Sequence, residues 1–121
     1  MNSTLLLQTS SWLLVATALG GLVMAYIRGV RKVNPPSWLA MVHGFLSAAG
    51  LTLLAYAAFA VGVPTLAWWG LGALLLAAVG GVVMNLGYHL ANVALPMAIV
   101  AAHAVLAVAG FLMLLMAAFG S

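Results

Sequence analysis

With no Asp, Glu or Cys in its 121 residues, the sequence leaves its metal and proton chemistry to three histidines, His43, His89 and His103. An imidazole can ligate a metal or carry a proton through one nitrogen while the other holds a hydrogen bond. Two of the three are placed alike. Shifting the sequence by 60 residues puts His43 on His103, Pro36 on Pro96 and Gly50 on Gly110. Gly20, Gly21, Val23 and Met24 fall in the same way on Gly80, Gly81, Val83 and Met84. The run His-x-x-Leu-x-x-Ala-Gly-x-x-x-Leu-x-x-Ala-Ala-Phe begins at His43 and again at His103. Such self-similarity reads as a duplication, with repeats over 1–60 and 61–121 and a histidine at the same place in each.

The elements that must position these residues are set by composition. The chain is 68% hydrophobic and 2% charged, which excludes an ordinary water-soluble domain. Four apolar stretches, 5–27, 37–61, 65–88 and 95–119, are each long enough to cross a hydrocarbon layer that takes about 20 helical residues. They are too long, and too free of turn residues, for barrel strands. The whole of 1–121 therefore reads as one transmembrane domain. The stretch before the first span carries no cation, so it reads as the start of that span and not as a cleaved signal. All three cations, Arg28, Arg31 and Lys32, lie in the first connection, which the positive-inside rule places in the cytoplasm with both chain termini outside. Trp12, Trp38, Trp68 and Trp69 read as interfacial anchors.

Two spans per repeat give both halves the same orientation, related by an axis along the membrane normal. Short connections make successive helices antiparallel neighbours, so the expected fold is an all-α, up-down-up-down four-helix transmembrane bundle built from two tandem hairpins. Helices 2 and 4 are then parallel and diagonal, with axes on the order of 13 Å apart. His43 and His103 each lie seven residues beyond a proline, ~10 Å along the helix, and face one another at one depth. That spacing is too wide for the rings to touch and suits one metal held between them. Gly20-Gly21 and Gly80-Gly81 on helices 1 and 3 come level with the pair and leave bare backbone for a neighbouring helix or a flat ligand. Gly50 and Gly110 share the histidine face at seven-residue spacing.

Facing histidines with glycines above and beside them describe a slot, and its flat shape suits one b-type haem with His43 and His103 as axial ligands. Two other readings stay open. Each histidine can simply bond a backbone carbonyl, although ionisable groups inside membranes mark function more often than those in soluble cores. Met24 and Met84 could add soft ligands to a copper site, though methionine is also a common core filler. A three-histidine zinc or copper site is disfavoured because His89 is expected near the interface. There it forms a polar stripe with Asn85 and Asn92, a water-facing helix end or a mouth that holds haem propionates together with Arg28 or Arg31, or a quinone head group. The absence of carboxylates removes hydrolytic triads and acidic relays, and no phosphate-binding loop precedes a helix.

Four spans with histidines at matched depth on parallel helices, and small residues beside them, resemble the small four-helix b-type cytochromes of membranes, ascorbate-reducing and superoxide- or quinone-linked. The Pro-x₆-His-[GA]-x-Leu-x-x-Ala-Gly run of Pro36–Gly50 and Pro96–Gly110 also resembles small bacterial integral membrane proteins. The resemblance implies electron transfer at a bacterial inner membrane, at most as an oxidoreductase component. Its two-haem members need four axial histidines; three histidines leave room for one haem. Membrane lipid is the expected surrounding, with a quinone or a redox protein as partner and no nucleic acid. A non-catalytic subunit of a larger complex or homo-oligomer, and a copper or small-solute conduit, are the alternatives.

Overall fold

The computed structural model describes residues 2–120. Its four helices are α1 (Ser3–Gly29), α2 (Ser37–Tyr56), α3 (Thr65–Met84) and α4 (Met97–Phe119). A turn of π-helix extends α2 over Ala57–Val61 and α3 over Asn85–His89. The continuous helical segments run 23 to 27 residues, each long and apolar enough to cross a membrane. The described residues form no strand. The fold is the four-helix bundle expected of an integral membrane protein, and its apolar faces suit contact with lipid.

Local signals set the ends. Asn2 caps α1, its side chain accepting from Leu5 N–H at 2.8 Å. Pro36, Pro64 and Pro96 stand immediately before α2, α3 and α4, where a missing N–H costs nothing. Gly62 closes the α2 extension at φ 105, a backbone state that side chains disfavour. The other two connections each turn at a left-handed residue, Lys32 (φ 60) and Asn92 (φ 58). Trp38, Trp68 and Trp69 sit within the first five residues of their helices, and Trp68 packs edge-on against Phe59 with ring centres 4.9 Å apart. Trp12 differs from its expected place: it lies well inside α1, between Ser10 and Leu14, and faces outward.

Packing divides the bundle into unlike halves. α1 lies mainly on α2 and α3 mainly on α4. Toward the Gly62 end, Leu6, Leu7, Leu14, Leu54, Leu71, Leu74 and Leu114 form one buried cluster with Ala57, Ala67 and Ala118. Gly50 and Gly110 sit within this half. A Cβ on Gly50 would fall 2.8 Å from Leu14 Cγ, and one on Gly110 2.8 Å from Leu74 Cγ and 3.0 Å from the Gly70 carbonyl. Ser10 Oγ donates to the Gly50 carbonyl at 2.7 Å, joining α1 to α2 at the same level. These two glycines, placed by sequence beside the histidine slot, instead carry the closest helix contacts.

Toward the Asn34 end, few side chains are buried, and the two connections there are tied by side chains instead. Asn34 donates to the Val93 carbonyl at 2.8 Å and accepts from Leu95 N–H at 3.1 Å. Arg28 Nε donates to the Leu95 carbonyl at 2.9 Å.

The contrast in glycine surroundings generates a test. Gly110→Ala should destabilise the bundle by about 1–3 kcal/mol, because backbone at Gly70 and Leu74 cannot yield cheaply. Gly72→Ala meets nothing within 4 Å and should be neutral or stabilising by up to about 1 kcal/mol through helix propensity. Unfolding of the two variants in mixed micelles, followed by circular dichroism, measures the difference.

Candidate functional site

His43 on α2 and His103 on α4 meet across the bundle. Their ring centres are 6.2 Å apart with the planes inclined at 64°. The sequence places the helix axes too far apart for contact between the rings. Both side chains project inward, and this closes the gap until the rings stand edge to face.

Each ring is held by the helix before it. His43 Nδ1 bonds the Thr17 carbonyl at 2.8 Å, and His103 Nδ1 bonds the Ala77 carbonyl at 2.6 Å. A carbonyl oxygen only accepts, so Nδ1 carries the proton and, in the neutral ring, Nε2 keeps the lone pair. The level glycines explain how the rings reach those carbonyls. Within a helix, the Thr17 carbonyl already accepts from Gly21 N–H, and Ala77 from Gly81 N–H. The second lone pair is open only if residue i+4 does not cover it. A Cβ on Gly21 would lie 3.1 Å from His43 Cε1, and one on Gly81 3.3 Å from His103 Cε1. A Cβ on Gly20 or Gly80 would likewise lie in ordinary contact with the histidine Cβ, at 3.9 and 3.8 Å. The bare backbone foreseen on α1 and α3 thus receives the imidazoles themselves.

Beside the pair lies a cavity of about 650 Å³, a volume ordinary for small-molecule sites. Both paired histidines line it, with Gly21, Gly81, Met24 and Met84. Its rim includes Met41, Phe45, Val82 and Leu86, all exposed, so it opens sideways between α2 and α3. That is the looser seam, since α1 packs more closely on α4. The wall is mostly apolar. Ser47, one turn beyond His43, supplies a polar group that no sequence motif marks, and Asn85, a member of the expected polar stripe, supplies another from the start of the π turn.

Arg28 and His89 form the foot of this cavity, near Pro35 and Leu95. His89 is not the water-facing group expected from its place near a helix end. It is buried, and its Nε2 donates to the Pro35 carbonyl at 2.6 Å, across 54 residues of sequence. No group of three metal-binding side chains occurs among the described residues, so the three histidines do not converge on one ion. Arg31 is exposed and does not line the cavity. Gly50 and Gly110 lie outside it as well.

No family model matches the chain, and no curated protein or solved structure matches it either. Imidazole–metal bonds are about 2.0–2.1 Å long, which puts the centres of two rings on opposite sides of one metal about 6–6.5 Å apart. The observed 6.2 Å falls in that range. A ligating histidine also commonly donates its remote N–H to a carbonyl, as both rings do here.

The bonds demand opposite tautomers. At alkaline pH, ¹⁵N spectra of histidine-labelled protein should show two rings protonated at Nδ1, His43 and His103, and one protonated at Nε2, His89. Gly21→Ala should shift the His43 resonances and leave those of His89 in place. Three identical tautomers would contradict the geometry.

Proposed function

We propose that the chain binds one b-type haem between His43 and His103 and takes part in electron transfer at the membrane. The observation that carries this reading is the imidazole pair. Two rings at 6.2 Å, each fixed through Nδ1 to a backbone carbonyl, keep Nε2 as the free ligand nitrogen beside a cavity of suitable size. When bound, haem supplies a reversible one-electron couple.

The protein's part is positional and electrostatic. The Thr17 and Ala77 carbonyls hold the ring orientations and raise the basicity of the opposite nitrogens. Apolar side chains such as Leu51, Ala78 and Val100 line the space and keep water out. With neither Asp nor Glu in the chain, no carboxylate competes for the metal. Met24 and Met84 line the same cavity and support copper as a second reading, with the histidine pair again at its centre. By the charge rule, the end of α1 with Arg28 and the connection with Arg31 and Lys32 are cytoplasmic in a bacterial inner membrane, so the cavity foot would face the cytoplasm. Its sideways opening would admit a lipid-soluble redox partner such as a quinone.

Visible spectra of detergent-purified protein, oxidised and then reduced with dithionite, test the proposal. A sharp Soret band with resolved α and β bands on reduction is expected. His43→Ala and His103→Ala should each abolish it, and His89→Ala should retain it with at most a shifted potential. A flat spectrum from protein expressed with ample haem, or full haem retention in either of the first two variants, would sink the assignment.

A further inference from the structure

Arg28 is the one cation in the cavity wall, and its charge has no counterpart in the chain. Its position in the last turn of α1 suits the helix dipole, and its Nε–H is used on the Leu95 carbonyl. A guanidinium has five N–H donors. The four on the Nη atoms have no hydrogen-bond partner among the described residues, and the sequence holds no Asp or Glu to provide one. The neighbouring side chains do not answer the charge either. His89 directs Nε2–H to the Pro35 carbonyl, and Asn85 is neutral. Arg31 and Lys32 are exposed beyond the wall, so the local excess is positive.

The cavity above this cation is long and apolar. On α2 its lining extends as far as Leu51, roughly 20 Å from the start of the helix at 1.5 Å per residue. It opens to the side, where lipid lies, and its only charged end is the foot. An occupant complementary to such a space is an amphiphile: a lipophilic body with a carboxylate or phosphate at one end. We propose that Arg28 anchors that anionic end, pairing its free guanidinium edge with two oxygens in the bidentate manner such groups favour. The anion has two sources, a haem propionate or the head group of an anionic phospholipid. The first rests on the functional reading above; the second does not.

The test uses the full chain, with two probes and four variants. Purified protein is titrated with haem b and with its propionate dimethyl ester. In parallel, protein in mixed phosphatidylcholine and phosphatidylglycerol bilayers is assayed by native mass spectrometry for the lipid it retains. Wild type should prefer the free acid over the ester, or phosphatidylglycerol over phosphatidylcholine, by about tenfold or more, as loss of a charged hydrogen bond implies. Arg28→Gln should remove the preference. Lys32→Asn, which deletes a cation from the same connection at a left-handed position that Asn tolerates, should keep it. Asn34→Ala loosens the tie to Val93 and to the Leu95 N–H but leaves the Leu95 carbonyl to Arg28 Nε–H, and should also keep it.

Haem binding without acid–ester discrimination, joined to equal retention of both lipids, overturns the anchor and leaves the haem assignment standing. Absence of haem binding together with Arg28-dependent retention of phosphatidylglycerol supports the anchor and sinks the haem assignment. Equal loss in Asn34→Ala and Arg28→Gln overturns a direct role, since Arg28 would then act through the loop. If Arg28→Gln does not fold, Arg28→Lys takes its place. It keeps the charge without the planar fork, so a preference weakened several-fold supports the pairing and an undiminished one overturns it.

Discussion

Everything in this bundle hangs from the close contacts at Gly50 and Gly110. Inside a membrane, lipid tails are as apolar as the helices, and association depends on how nearly backbones can approach. At Gly110 that approach leaves no room for even a methyl group against Gly70 and Leu74, and at Gly50 Leu14 fills the space. The two hairpins are thus zipped over the half nearest Gly62, where the buried cluster lies. Beyond that level, leucine packing gives way. What keeps the far ends from separating is a second, polar clamp: Asn34, Arg28 and His89 reaching backbone carbonyls of the opposite connection. A cavity between two clamps needs no further device to exist.

In the intervening space, the imidazoles do two jobs at once. Each fills the gap between its own helix and the preceding one, and each satisfies its own N–H on a carbonyl in a region where no water would do so. The glycine four residues beyond that carbonyl is what allows it. Seen this way, Gly21 and His43 are one unit, and Gly81 and His103 another. The consequence for chemistry follows from geometry: with Nδ1 occupied, the remaining nitrogen of each ring is the one that can meet a metal or a ligand.

Much of this was legible in the sequence. The four spans follow from apolar runs and prolines, with ends displaced by only a residue or two, as at Ile27 against Gly29. The shared depth of His43, His103 and the two glycine pairs follows from counting residues between prolines and turns. Seven-residue spacing could not separate the role of Gly50 from that of His43, because both occupy one face and the distance to the next helix changes along it. Helix axes alone could not give the ring separation, which depends on side chains projecting inward. His89 lay beyond reach for a different reason. Its partner, the Pro35 carbonyl, is brought to it by the folding of two connections on each other, and no local periodicity encodes that meeting.

Positions 60 residues apart agree where the rings are held and differ at the cavity foot. Thr17 and Ala77 offer their carbonyls in the same way, and Gly21 and Gly81 accept the rings in the same way. Arg28 corresponds to Tyr88, His89 to Gly29, Asn85 to Ala25, and Ser47 to Ala107. Arg28, His89, Asn85 and Ser47 all border the cavity beside the rings. Two like rings, each held in the same way, could grip an occupant, but they present the same face to either of its ends and cannot orient it. Orientation has to come from the groups that break the resemblance. Arg28, Asn85 and His89 gather at the foot, and Ser47 lies one turn beyond His43 on α2, beside the seam with α3 where the looser packing leaves a way in from the side. On the proposed reading, centre and foot divide the work: residues the halves share would grip an occupant, and residues they do not share would tell one of its ends from the other.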